Sequence, residues 1–138
     1  MLYADTCYIL ALVLPADVFR ANAERIRDQA QASSTTILCC ETTFHELLMH
    51  IHNKGYDPLR YMRDALSLVE PDGVRAETLL KAAYYMDHVR LDPADALIAA
   101  HASDSGLGLV TSELAARDLL TRDCGLKIVN LRSPNVTI

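Results

Sequence analysis

The sequence has no apolar run long enough to cross a membrane, and its beginning lacks the features of a secretion signal. A bilayer-spanning helix needs about 20 consecutive apolar residues, and no stretch of these 138 residues reaches that length. The opening segment, Met1-Leu2-Tyr3-Ala4-Asp5, has neither a basic region nor a cleavage site. It is typical of a short buried strand, so we expect a cytoplasmic protein with no membrane partner.

Metal-binding patterns of cysteine and histidine are also missing. Four cysteines occur, none of them in a CxxC pair, and two are adjacent at Cys39-Cys40 within an apolar segment. Structural zinc sites need spaced pairs, so we expect buried, reduced thiols. The zinc-protease motif HExxH is absent as well, because His45 and His50 are five positions apart instead of four.

Three further catalytic signatures are lacking. Gly106-x-Gly108 precedes a predicted strand and has no partner glycine, which argues against a phosphate-binding loop. No nucleophile elbow accompanies the serines, which argues against Ser/His/Asp hydrolysis. A receiver domain would need a lysine at the end of its last strand, whereas Lys127 stands at the beginning of the predicted one.

An excess of positive charge is absent too. The chain carries 13 basic and 18 acidic residues, for a formal net charge of −5. Such a protein does not attract nucleic acid through its overall field. Binding to RNA would therefore depend on a local basic surface or on metal ions, and part of the negative charge could itself form a metal site.

The residues that are present predict one folded domain over 1–138. Hydrophobic residues make up 51% of the chain, and a chain of this length buries about two-thirds of its unfolded surface. Strand-like segments at 2–4, 35–40, 107–111 and 127–131 are separated by helical segments at 17–31, 42–53, about 58–69, 74–88 and 93–102, with another at 113–121. Pro71-Asp72-Gly73 is predicted to be a turn. Alternating units of this kind predict a three-layer α/β/α fold with a central parallel sheet of about four or five strands.

Four acidic residues are placed where such a sheet binds its ligands, beyond the carboxyl ends of the strands. Asp5 ends the first strand, and Glu113 follows the 107–111 strand by two residues. Asp95 lies in the first turn of the helix that leads into that strand, and Glu46 lies in the helix after the second strand. Right-handed crossovers would bring all four to one edge of the sheet.

Converging carboxylates repel one another, and a cation relieves the repulsion. Oxygen ligands favour Mg²⁺ or Mn²⁺, and such ions activate water and stabilise an in-line phosphoryl transition state. The set therefore suits phosphodiester hydrolysis. Other interpretations stay open residue by residue: Asp95 also suits the helix dipole, Glu46 a solvated helix face, and Glu113 the start of a helix. Asp5 is the hardest of the four to explain otherwise.

Together these segments resemble the PIN domain, the fold of VapC-type toxins. Tyr3-Ala4-Asp5-Thr6 resembles its opening strand and first catalytic aspartate, and Thr42-Thr43-Phe44-His45-Glu46-Leu47 resembles the segment with the second acid. Asp95-Ala96-Leu97-Ile98-Ala99-Ala100-His101-Ala102 is similar to the helix that begins with the third catalytic aspartate. Gly108-Leu109-Val110-Thr111-Ser112-Glu113 resembles the strand that leads to Thr-x-Asp.

The resemblance implies which residues form the site. The catalytic acids would be Asp5, Glu46, Asp95 and Glu113. Of these, Asp5, Asp95 and Glu113 would bind Mg²⁺ or Mn²⁺, with support from Thr6, Thr111 and Ser112. Thr111 would donate a hydrogen bond to the metal shell or to Asp5. The family usually has aspartate where this chain has Glu113, and Asp118 is a second candidate for that position.

The function implied is that of a metal-dependent endoribonuclease, the toxin of a type II toxin–antitoxin pair. Its partners would be an RNA substrate, an antitoxin protein and a second copy in a homodimer. The homodimer is also suggested by the apolar stretch 8–14 and by the bulky helix at 44–51, which one domain would not cover fully. Two alternatives stay open: an inactive PIN-like module that binds RNA or protein, and a metal-dependent phosphatase or DNA nuclease.

Overall fold

Five parallel strands form one sheet in the computed structural model, which describes residues 1–112 and 121–138. The strands are β1 (Leu2–Ala4), β2 (Ile37–Cys40), β3 (Glu70–Asp72), β4 (Gly108–Thr111) and β5 (Ile128–Asn130). Their spatial order is β3-β2-β1-β4-β5, with β1 at the centre. The chain builds outwards from β1 in both directions, so the topological switch point of the sheet lies at the carboxyl end of β1.

Helices cover both faces of this sheet. They are α1 (Thr6–Val13), α2 (Arg20–Ala32), α3 (Glu41–Lys54), α4 (Pro58–Leu66), α5 (Ala76–His88) and α6 (Pro93–Asp104). Alternate residues of β1 point to opposite faces: Leu2 and Ala4 join a core with α1 to α4, whereas Tyr3 joins a second core with α5 and α6. The predicted α/β/α layering with a parallel sheet is confirmed.

Helix starts and stops follow the local signals in the sequence. Asp57 and Asp92 each precede a proline at the first helical position. Each carboxylate caps its helix: Asp57 accepts from the backbone of Leu59 and Arg60, and Asp92 accepts from the Asp95 amide. Gly55 ends α3 in the left-handed conformation, with φ at 68°. No helix in the described ranges has the length and apolar character of a membrane span.

One prediction about local structure is wrong. The sequence predicts a turn at Pro71-Asp72-Gly73, but residues 70–72 form the edge strand β3, with Leu38 opposite Glu70 and Cys39 opposite Pro71. Proline is compatible with a strand at a sheet edge, where its missing N–H costs no ladder hydrogen bond. The helix predicted at 113–121 lies, except for its last residue, outside the described residues.

The segment after β5 runs along α2, a packing for which the sequence contained no recognisable signal. Three side chains on one side of α2 donate hydrogen bonds to backbone carbonyls of this segment. The donors are Asn22, Arg25 and Gln29, and the acceptors are the carbonyls of Leu131, Ser133, Pro134 and Val136, at 2.7 to 3.2 Å. These bonds hold the chain beyond β5 against the α2 side of the sheet.

His101 is a buried polar residue of α6 that lies near Tyr3 on β1 and Asp72 on β3. Its side chain is fully buried, with Nδ1 3.5 Å from the Tyr3 hydroxyl and 3.7 Å from Asp72 Oδ2. Its Nε2 has no hydrogen-bond partner in the described part of the chain. Burial lowers the pKa of His101 below its ordinary value, Arg75 lowers it further, and the opposing charge of Asp72 does not compensate.

We expect this histidine to make the fold sensitive to acid. The unfolded chain binds the proton of His101 at a higher pH than the folded chain does. The contribution of neutral His101 to the free energy of unfolding is therefore fully present above about pH 6.5. It is lost as pH falls toward the lowered pKa, by at most about 1.4 kcal/mol per pH unit. Urea unfolding of the unmodified chain and of His101→Gln from pH 7.5 to 5.5 measures this. Parallel pH curves for the two proteins would contradict it.

Candidate active site

Asp5 lies where β1 ends and α1 begins, at the switch point of the sheet. Its backbone N–H donates to the carbonyl of Val110 on β4 at 3.0 Å, which ties it to the neighbouring strand. Asp5 precedes α1 in the N-cap position, and its Oδ1 accepts from the backbone N–H of Thr6, the first helical residue, at 2.6 Å. Cap and strand pairing together orient the half-buried carboxylate beyond the edge of the sheet.

Glu46 lies near Asp5 and contacts the next residue, Thr6, from which it is 40 positions distant along the chain. It is in the second turn of α3, which starts directly after β2 and buries Thr43 and Leu47 against the core. The Thr6 hydroxyl donates to Glu46 Oε2. Thr6 therefore contacts both acids, through its amide on Asp5 and its hydroxyl on Glu46.

The end of β4 supplies the other side of the site. Thr111, which is buried, donates from its hydroxyl to Asp5 Oδ2 at 2.8 Å. Both oxygens of Asp5 are thus hydrogen-bonded, one to α1 and one to β4. The predicted contact between Thr111 and Asp5 is present in the structure.

Cys7 is a neighbour of the site that sequence reasoning missed. Its Sγ lies 3.6 Å from Asp5 Oδ2 and accepts from the Ser112 backbone N–H at 3.2 Å. Burial and the negative charge of Asp5 raise the pKa of the Cys7 thiol to about 12. It is therefore a neutral thiol that fills space beside Asp5. Its place in the first turn of the helix that Asp5 caps was the available signal.

The beginning of α6 brings further acidic residues to the same edge. Asp95 is half-buried in the first turn, and the Asp92 carboxylate accepts from its amide at 3.0 Å. α6 packs against α3. Burial raises the pKa of Glu46, and the charges of Asp5 and Asp92 raise it further. Sequence reasoning had assigned Asp92 only a capping role, so its proximity to Glu46 was missed.

The structure brings Asp5 and Glu46 together through Thr6, and Asp92 at the start of α6 is near enough to raise the pKa of Glu46. That Asp95 converges with them stays a prediction. Glu113 and Asp118 lie outside the described residues. Within residues 1–112 and 121–138, no three His, Cys, Asp or Glu side chains are arranged as a set of metal ligands. The oxygen atoms that could bind a metal at this edge are those of carboxylate and hydroxyl groups. Their chemistry fits Mg²⁺ or Mn²⁺. Burial is the main cause of the raised pKa of Glu46, and the nearby charges of Asp5 and Asp92, which such an ion would offset, raise it further.

A family model for the PIN domain matches residues 2–126, which include the positions of all four predicted acids. The chain belongs to the PIN-domain family. No curated protein matches this PIN-domain chain.

Solved structures share the PIN fold over most of the chain. A toxin–antitoxin complex from Klebsiella pneumoniae matches with a TM-score of 0.69 at 18% identity, covering 96% of this chain and 99% of that one. VapBC2 from Rickettsia felis, bound to a promoter DNA fragment, matches with 0.71 at 19%, covering 94% and 98%. VapC20 from Mycobacterium tuberculosis, a toxin that cleaves the sarcin-ricin loop, matches with 0.62 at 17%, covering 79% and 87%. At these identities the likeness shows the fold.

Proposed function

We propose that this PIN-domain chain is a metal-dependent endoribonuclease and the toxin of a type II toxin–antitoxin pair. The observation that carries the proposal is the hydrogen-bonded link from Thr111 to Asp5 to Thr6 to Glu46 at the carboxyl end of β1. The similar fold of VapC20, which cleaves the sarcin-ricin loop, supports the choice of RNA as substrate.

Asp5, Asp95 and Glu113 are the residues that would hold Mg²⁺ or Mn²⁺. When bound, such an ion neutralises charge on the phosphate and lowers the pKa of a water molecule. The protein contributes orientation. Hydrogen bonds from the Thr6 amide and the Thr111 hydroxyl hold both Asp5 oxygens in place, so the carboxylate needs no rearrangement to act as a ligand. Ser112 keeps Cys7 in place behind it.

Glu46 is the proposed general base. A base is most effective when its pKa lies nearer the working pH than that of an exposed carboxylate, and burial raises the pKa of Glu46 in that direction. The Thr6 hydroxyl occupies Oε2, which leaves Oε1 to accept the proton of the attacking water. The water oxygen attacks phosphorus directly and displaces one ribose oxygen, which takes up a proton and leaves as a hydroxyl group, so cleavage produces no cyclic phosphate.

The experiment that tests this function is cleavage of labelled RNA by the purified chain. With Mn²⁺ present, we expect discrete fragments from total RNA and from a sarcin-ricin stem-loop, without 2′,3′-cyclic phosphate ends. A DNA strand of the same sequence separates a ribonuclease from a DNA nuclease. A folded protein that binds the RNA but leaves it intact would favour the second candidate, a binding module, which the replacement of the usual aspartate by Glu113 also suggests.

We also propose an antitoxin partner and a homodimer. The stretch 8–14 does not supply the exposed surface expected from the sequence, because it forms most of α1 and is largely buried. Exposed apolar side chains occur instead on α3, α4 and α5: Leu48, Met49, Leu59, Leu66, Leu79, Leu80, Tyr84 and Met86. α3 and α4 pack in the core on one side of the sheet and α5 in the core on the other, so one exposed apolar face could form a symmetric dimer and the other could bind a peptide. The Klebsiella pneumoniae structure is a toxin–antitoxin complex, and the Rickettsia felis structure is of VapBC2. Light scattering measures the dimer, and co-purification from the native operon detects the antitoxin.

A further inference from the structure

Arg132 lies beside the candidate active site, at the same edge of the sheet. Asn130 on β5 is opposite Thr111 on β4, and the Leu131 amide continues the pairing to the Thr111 carbonyl at 3.0 Å. Beyond this point, Arg132 Nε donates to the carbonyl of Ser112 at 2.7 Å. Asp5 lies two strands away from this position. The usual spacing between strands makes that separation roughly 10 Å.

The guanidinium of Arg132 is held in place. It lies over the ring of Phe19, 5.0 Å from the ring centroid. Asn22 donates to the carbonyls on both sides of Arg132, and the Arg132 amide donates to Asn130 Oδ1 at 3.0 Å. A long side chain that is already ordered loses little freedom when it binds a ligand.

The charge of Arg132 is not used within the described ranges. Arg20 and Arg27 each pair with a carboxylate, whereas Arg132 is exposed and has no carboxylate at ion-pair distance there. The Ser112 carbonyl occupies Nε and leaves the two terminal amino groups, which form the planar fork that matches a phosphate. A protein with a net charge of −5 needs such local cations to hold a polyanion near its own carboxylates.

We propose that Arg132 binds a phosphate of the substrate strand next to the scissile one, a role that rests on the proposed nuclease function. The candidate active site and the Arg132 guanidinium would then contact neighbouring phosphates of one RNA backbone. Arg132 would contribute to substrate binding and not to the bond-breaking step.

The test compares Arg132→Gln, Arg132→Lys and the control Arg63→Gln. Arg63 has the same charge and is exposed, but it lies one helical turn before Leu66, which lines a cavity at the opposite edge of the sheet. The probe is a fluorescein-labelled, mixed-sequence, single-stranded RNA of 20 nucleotides. Its Kd is measured by anisotropy in EDTA at several salt concentrations, and thermal melting of each variant verifies the fold.

We expect Arg132→Gln to weaken binding by roughly tenfold or more. Its plot of log Kd against log salt should become shallower by about 0.7, the contribution of one phosphate contact on a single strand. In Mn²⁺, KM for the same RNA should rise while kcat stays within about twofold. Arg132→Lys should keep the salt slope and recover part of the affinity, and Arg63→Gln should match the unmodified chain.

Two outcomes would overturn the assignment, and they differ in what else they affect. If the unmodified chain cleaves RNA while Arg132→Gln keeps its Kd, salt slope and KM, only the role of Arg132 is wrong. If the unmodified, folded chain neither binds nor cleaves the RNA, the nuclease function is wrong and the role of Arg132 with it.

Discussion

Asp5→Asn is expected to lower RNA cleavage by about 100-fold or more without unfolding the protein. Asparagine keeps the shape of the side chain but removes the charge that the metal requires. It also places an amide donor where Asp5 now accepts from the Thr6 amide or the Thr111 hydroxyl. Disturbing the neighbours of a metal ligand alone costs 10- to 100-fold, so removing the ligand's charge should cost at least as much. Initial cleavage rates at saturating Mn²⁺ measure the effect.

Asp95→Asn should cause a similar loss, and the chain offers a matched control for it. Glu77 is also an acid in the first turn of a helix, on α5, where it benefits from the same helix dipole. Glu77→Gln should therefore cost a similar small amount of stability and leave cleavage unchanged. If Asp95→Asn keeps full activity, the assignment of Asp95 as a metal ligand is wrong.

Removal of divalent cations is expected to abolish cleavage. Burial raises the pKa of Glu46, and the charges of Asp5 and Asp92 raise it further. These charges would repel an RNA phosphate unless a cation lay between them. EDTA should reduce the rate to background, and added Mg²⁺ or Mn²⁺ should restore it. Equal rates in EDTA and in Mn²⁺ would refute a metal mechanism.

The same cation should stabilise the folded chain by mass action. Mg²⁺ at 100 times its Kd adds about 2.7 kcal/mol to the free energy of unfolding if the unfolded chain does not bind it. We expect the melting temperature to rise along a Mg²⁺ titration at neutral pH, and Asp5→Asn to lose most of that rise. An unchanged melting temperature in the unmodified chain would show that the acids do not converge on a cation.

Local signals in the sequence were enough to predict most elements. The Asp-Pro pairs at 57–58 and 92–93 mark helix starts because their capping and backbone preferences act within one turn, and both helices begin there. β3 was missed because a three-residue edge strand that contains Pro71 has too few residues to show a period. Its assignment as a strand depends on β2 lying beside it.

The sequence by itself determined the α/β/α fold, since alternating strands and helices with right-handed crossovers admit few topologies. It also predicts that Asp5, Glu46, Asp95 and Glu113 meet at one edge of the sheet. Only the tertiary structure decided most of the contacts around this site. The contacts of Thr6 with Glu46, Cys7 with Ser112 and Arg132 with Ser112 join residues 40, 105 and 20 positions apart. No periodicity encodes such contacts, because they depend on how helices and the terminal segment pack against the finished sheet.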